Sequence, residues 1–231
     1  MTSRVQSSRQ MSGRGKPSHG DEPTIALSLS TRERILRAAT DEFADKGFAG
    51  GRLETICAAA QANIRMIYHY FEDKAGLYVA VLEEALSALR QEELKLRIDH
   101  PKPLEALLQL FDFIYDHFGA HPQLISLLSG ENLLRAEYLK KSSRTPVISS
   151  PVLSVVRRLL SRGEAEGSVR VGLDPLQLYV LMVSLSYFHL SNGHTLSVIF
   201  ETDLLSADWR ASHKRLARET VRRLVIGQPA N

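Results

Sequence analysis

Cysteine is nearly missing from this chain. Cys57 stands alone among 231 residues, so no intramolecular disulfide can form. Long hydrophobic runs are missing too. The most apolar stretch, Leu176 to Leu190, is interrupted by Gln177, Ser184, Ser186 and His189, and is too short and too polar to span a membrane. The first residues are rich in Ser, Arg and Gly and lack the apolar segment of a secretory signal. A soluble, cytoplasmic protein with no membrane partner is expected. No segment alternates apolar and polar residues between turn signals, which argues against a sheet, and no internal repeat is visible. The motifs of common enzyme classes are lacking as well: there is no nucleophile elbow, phosphate loop, HExxH or cysteine cluster. The expectation is therefore a non-enzyme without a cofactor.

An excess of one charge sign is also lacking. The net charge is only +3, and where it sits matters more than its size. Residues 1–29 carry Arg4, Arg9, Arg14 and Lys16 against Asp21 and Glu22, with few apolar residues and no period. They read as a disordered, mildly basic arm. Residues 31–77 hold seven Lys/Arg and seven Asp/Glu. Any nucleic-acid contact there must come from a local arrangement of groups rather than from bulk charge.

What is present is helical periodicity. Ser30-Thr31-Arg32-Glu33 fits a capping box, and Ile35, Ala39 and Phe43 then recur four residues apart. Lys46-Gly47 supplies a cation and a glycine to end that helix. After the Gly50-Gly51 joint, a short helix is expected from Arg52 to Ala60, burying Leu53, Ile56, Cys57 and Ala60. Gln61-Ala62 make a turn, and Asn63 caps a third helix that ends near Phe71. A longer amphipathic helix through Leu77, Val81 and Leu89 reaches about Ile98. Further helices are expected over Leu104 to Gly119, Pro122 to Lys141, Val152 to Glu166, Asp174 to Ser191 and Ala207 to Ile226. Ser142 to Pro151, with two prolines and four serines, reads as a loop, and His194 to Phe200 as an extra helical turn. The fold class is all-α, with about nine helices.

The turn at Gln61 carries the chemistry. In a helix-turn-helix, the second helix enters the major groove and its first turn faces base edges. Here Ile64, Arg65 and Met66 occupy that turn. Arg65 can bond a guanine edge or a phosphate, and Ile64 and Met66 can meet thymine methyls. Tyr68, His69, Tyr70 and Lys74 offer hydroxyl, imidazole and ammonium donors to phosphates. A three-helix structural unit whose aromatics pack on a neighbouring helix stays open at this level.

An ordered string of residues raises the first reading. It runs Arg34-Ile35-Leu36-Arg37-Ala38-Ala39, Phe43, Lys46-Gly47-Phe48, Ile56 with Ala58-Ala59-Ala60, Ile67-Tyr68-His69-Tyr70-Phe71 and Lys74-Ala75-Gly76-Leu77-Tyr78. In this string, residues 31–77 resemble the N-terminal domain of the TetR family of transcriptional regulators. The resemblance implies a homodimer, most simply a repressor on a palindromic double-stranded DNA operator, released by a small-molecule effector. It implies a DNA-binding domain over 30–77 and a helical ligand-binding and dimerisation domain over 78–231. Arg52 and Thr55 would approach phosphates, Ile64, Arg65 and Met66 bases or sugars, Tyr68, His69 and Tyr70 the backbone or groove edge, and Lys74 a phosphate. Ile67 and Phe71 would be core. The chain departs from the family at the turn, where Gly-Val-Ser is usual and Gln61-Ala62-Asn63 stands. Asn63 keeps the capping role, but Gln61 loses the glycine that tolerates positive φ. Gly51 and Arg52 stand where a phosphate-binding threonine is common.

In the C-terminal part, the apolar helix from Leu176 suggests burial on both sides. The resemblance implies that it and the last helix form a four-helix dimer interface; a central core helix of a monomer is the alternative. Polar residues among apolar runs are the candidate effector contacts: Tyr115, His117, Glu131, Asn132, Arg135, Tyr179, Tyr187 and His189. Each singly is more simply a satisfied core or surface residue, and Glu131-Asn132 with Arg135 is the strongest group. His117 and His121 have a metal-ligand spacing, but Pro122 disfavours helical geometry at His121 and no third ligand is spaced to join them, so no metal is expected. Two other classes stay open: an all-helical enzyme, and a helical adaptor that has lost DNA binding through the altered turn.

Overall fold

The computed structural model describes residues 29–96 and 101–226, so the arm expected over 1–29 lies outside the described residues apart from Leu29. Ten α-helices and one 3-10 turn form the described chain, with no strand among them. They are α1 (Thr31–Gly50), α2 (Leu53–Ala60), α3 (Ile64–Phe71), α4 (Lys74–Lys95), α5 (Pro103–Ala120), α6 (Pro122–Leu133), α7 (Thr145–Ala165), α8 (Pro175–Ser191), α9 (Gly193–Ile199) and α10 (Ala207–Ile226), with the 3-10 turn at Leu139–Lys141. The tenth helix is α9, in the place of the extra turn expected near His194.

The helix boundaries follow local chemistry where caps are present. Ser30 and Glu33 form the capping box, each bonding the other's backbone N–H. Gly47 breaks α1 with φ 67° and ψ 177°, after which one further turn reaches Gly50. Asn63, Asp73 and Asp174 cap α3, α4 and α8 through side-chain oxygens.

Two expectations need correction. The helix from Pro122 stops at Leu133, not Lys141, because Arg135 and Ala136 turn left-handed at φ 54° and 57°. This reversal is set by tertiary contacts. The Leu139 N–H reaches the buried Glu131 Oε2 at 2.9 Å, and the Tyr138 ring lies 4.1 Å from Phe48 and 5.2 Å from Tyr78. The stretch from Ser142 to Pro151 is not all loop, since α7 begins at Thr145. Pro146 sits in the first turn, where its missing N–H has no intrahelical partner to lose. Pro151 removes one bond from a helix otherwise held by buried Val152, Val155, Val156, Leu159 and Leu160.

Two apolar cores result. The first joins Ile35, Ala39 and Phe43 of α1 to Ile56, Ile67, Phe71, Leu77 and Tyr78, and takes in Leu127 of α6. The second gathers α5, α7, α8 and α10 around Leu107, Phe111, Ile114, Leu159 and Met182. α4 belongs to both, since Leu77 to Leu82 serve the first and Leu89 the second. Further along α4, Arg90 bonds Glu93 and the Tyr179 hydroxyl, which itself donates to Glu93 Oε1 at 2.9 Å. The Tyr179 hydroxyl thereby ties α8 to the buried Arg90–Glu93 pair of α4, and burial pushes the Tyr179 phenol well above its usual pKa.

Candidate nucleic-acid interface

Three helices and two close approaches hold α3 in place. Arg34 of α1 donates from Nε to the Ala60 carbonyl at 3.0 Å, tying α1 to the end of α2. A Cβ at Gly51 would fall 2.6 Å from the Phe43 ring, so only glycine lets the α1–α2 joint close over that ring. The Arg52 N–H is held by Glu42 Oε1 at 3.0 Å. A Cβ at Gly76 would fall 2.0 Å from the Phe71 carbonyl oxygen, so glycine is again what lets the first turn of α4 meet the end of α3. Between these points Gln61 makes the turn with φ 50° and ψ 47°. The left-handed conformation needed here has been kept without the glycine that would adopt it freely.

α3 is sharply two-sided. Ile67 and Phe71 are buried in the first core, and every other residue from Ile64 to Tyr70 is exposed. Tyr68 and Tyr70 are 51% and 41% exposed, so these rings are not packed against a neighbouring helix, as a purely structural unit would require. Among the described residues Arg52 and Arg65 have no carboxylate partner, and Thr55 is exposed one turn from Arg52. The Asn63 side chain is occupied, with Oδ1 accepting the Met66 N–H at 3.1 Å. Lys74 is half-buried, with its Nζ 3.4 Å from the Ala49 carbonyl and 4.8 Å from the Phe48 ring centroid. Unpaired guanidinium, hydroxyl, imidazole and apolar groups on one exposed helix are the kinds of group that read a groove and its phosphates. Cys57 is buried on α2, and burial raises its thiol pKa, which leaves it an inert core residue.

The same arrangement recurs in known proteins. Residues 35–81 match the family of bacterial regulatory proteins described as the tetR family, and residues 103–221 match the tetracyclin repressor-like C-terminal domain. The transcriptional repressor NicS of Pseudomonas putida is 38% identical over 197 residues, covering 84% of this chain and 93% of NicS. The chain belongs to the TetR family. It is accordingly a DNA-binding transcriptional regulator of helix-turn-helix type. Among solved structures of this fold, a transcriptional regulator from Streptomyces coelicolor superimposes with a TM-score of 0.64 at 23% identity, covering 85% of this chain and 98% of that one. FadR of Bacillus subtilis, solved in complex with stearoyl-CoA, does so with 0.62 at 17% identity, covering 84% and 98%.

In the C-terminal part of this TetR-family chain, the candidate effector residues do not form one group, and only Tyr115 and His189 come together. Glu131 is buried, but Asn132 and Arg135 are exposed, and Arg135 lies beyond the end of α6. The group expected from one continuous helix is thus dispersed by the reversal after Leu133. Tyr179 is spent on the buried Arg90–Glu93 pair of α4. His117 is buried beside His121, with ring centroids 4.0 Å apart; burial and then His121 bring its pKa down to about 4. No group of three or more His, Cys, Asp or Glu among the described residues is placed to hold a metal ion. Tyr187 shares its hydroxyl with Ser129 Oγ at 2.7 Å. Tyr115 and His189 do meet: the Tyr115 hydroxyl lies 3.1 Å from His189 Nε2 and 3.0 Å from His213 Nδ1. Sequence reasoning missed His213 and Arg210 in that neighbourhood. Only their three-residue spacing on one face of α10 could have hinted at them.

No helix among the described residues is long and apolar enough to cross a membrane. α8 has one face in the second core and another uncovered: Leu176, Val180 and Phe188 are 53%, 53% and 58% exposed. Leu216 of α10 is exposed as well.

Proposed function

We propose that this chain is a cytoplasmic, homodimeric repressor that binds a palindromic operator through α3 and releases it when a small molecule binds the C-terminal helices. The observation that carries this is the exposed face of α3, on which Arg65, Tyr68, His69 and Tyr70 stand outside the cores of the described residues. In this reading Ile64, Arg65 and Met66 meet bases, Arg52, Thr55, Tyr68, His69 and Tyr70 meet sugar and phosphate, and Lys74 exchanges the Ala49 carbonyl for a phosphate. The DNA-binding unit spans 30–77, and 78–231 serve ligand binding and dimerisation. Two half-sites about one helical turn apart need two reading helices on one frame. The uncovered stripe of Leu176, Val180 and Phe188 is the surface on which a second copy supplies that frame. FadR, with its bound stearoyl-CoA, supports a small-molecule effector as the switch, which works only if the effector prefers one of two states. The chain acts as a regulator and not as an enzyme.

The test is a gel shift with the DNA upstream of the protein's own gene, paired with light scattering. A shift by wild type that is lost in folded Arg65→Ala and Tyr68→Ala proteins supports the proposal. A monomer at micromolar concentration, or equal binding by both variants, overturns it.

A further inference from the structure

α10 is rich in cations, and most of them are paired. Lys214 bonds both oxygens of Asp116 at 2.7 and 2.8 Å. Arg218 reaches Asp112 at 3.0 Å, and Arg222 and Arg223 share Glu219. Arg215 stands on the exposed outer face. Arg210 is different. It is half-buried, no carboxylate partners its guanidinium among the described residues, and its Nε is buried without any hydrogen-bond acceptor. A buried, unsatisfied charged donor is costly and is an unusual thing for a fold to keep.

The fold makes room for this group. A Cβ at Gly119 would fall 2.1 Å from Arg210 Nη2, so the guanidinium lies across the bare backbone of α5. It borders a cavity of about 450 Å³ between the end of α5, α6, the end of α8 and α9. Phe118, Ile125, Leu190 and Leu205 give that cavity apolar walls, and Ser126 and His194 add polar groups at its edge. Behind Arg210, Tyr115 and His213 close the space, with the Tyr115 hydroxyl donating to the Arg210 carbonyl at 3.0 Å. The volume falls within the roughly 300–1,000 Å³ of small-molecule sites, which pair apolar walls with a few placed polar groups.

We propose that this cavity binds a small carboxylate with an apolar body, its carboxylate on the Arg210 guanidinium and its body against Phe118, Ile125 and Leu190. A planar guanidinium matches a carboxylate with two parallel bonds, and the apolar walls exclude the water that would otherwise screen them. A regulatory role for the ligand rests on the effector-responsive function proposed above; the anion site itself does not.

Calorimetry on the full chain tests it, with benzoate and hexanoate as probes and benzamide and hexanamide as uncharged counterparts. At least one carboxylate binds, and more tightly than its amide by about tenfold or more, as a charge-assisted pair requires. Arg210→Gln abolishes that preference. Gly119→Ala weakens it by displacing the guanidinium, and serves as the second variant should Arg210→Gln fail to fold. No carboxylate binding by wild type at millimolar concentration, or an equal preference in a folded Arg210→Gln protein, overturns the site. A gel shift run with the same probes is read separately. Carboxylate binding without operator release upholds the site and removes its regulatory role.

Discussion

Gln61→Gly puts a number on the turn. Gln61 is an exposed residue held at φ 50° and ψ 47°, and its side chain makes no hydrogen bond. Its substitution therefore changes the backbone term alone. The left-handed conformation costs an L-residue about 1–2 kcal/mol. Glycine pays none of this, but its freer unfolded chain gives back roughly 0.5–1 kcal/mol. The net expectation is a gain of about 0.5–1 kcal/mol, or a rise in Tm of a few degrees for a chain of this size. Gln61→Val should go the other way, because a branched side chain fits this region worst. Circular dichroism melts at 222 nm read both, since Trp209 stacks on His213 of α10, outside the first core, and does not report on α2 and α3. Operator affinity should be unchanged in Gln61→Gly, which keeps the path of the turn. A lower Tm for Gln61→Gly, or equal melts for the glycine and valine variants, would refute the reasoning.

Other substitutions and pH changes have equally definite expected outcomes. Arg65→Ala should leave stability unchanged, as the side chain is exposed and unpaired, while weakening operator binding by about 1–3 kcal/mol per half-site if it reads a base. If it meets a phosphate instead, the slope of log K against log salt falls by about 1 and sequence preference is kept; gel shifts across a salt series separate the two. Asn63→Ala should cost about 1 kcal/mol by removing the cap at Met66, read by urea denaturation. Gly76→Ala should cost more than about 2 kcal/mol, since its Cβ meets backbone that has nowhere to move, and should give little folded protein. His117 and His189 are held near pKa 4, chiefly by burial, below the 6.5 of a free imidazole. The unfolded chain then binds more protons, so their contribution is complete above pH 6.5 and is lost as pH falls toward 4. Urea midpoints of wild type and His189→Gln should converge over that window, and a constant gap would refute it.

Much of the first core was legible in the amino-acid string because its determinants are local. Ser30 and Glu33, Asn63 and Asp174 announce helix starts through bonds that span three residues. The four-residue spacing of Ile35, Ala39 and Phe43 states which face is buried. The exposed row on α3 could be read the same way, since Ile67 and Phe71 leave the other positions no core to enter. The arrangement of the candidate effector residues was not legible. Glu131, Asn132 and Arg135 look like one helical face until Tyr138 docks on Phe48 and turns the chain between them. The prolines at 146 and 151 look like loop until the valines and leucines of α7 find α4, α5 and α8. Arg210 and Gly119 are 91 positions apart, and no period connects a guanidinium on one helix to a missing side chain on another. By itself the amino-acid order settled most of the helices, the buried faces of the first core and the exposed row of α3, all matters of short-range bonding and periodicity. Where α6 ends, which polar residues meet, and which cation is left without a partner were decided by helices packing across the chain, where contact energy outweighs local preference.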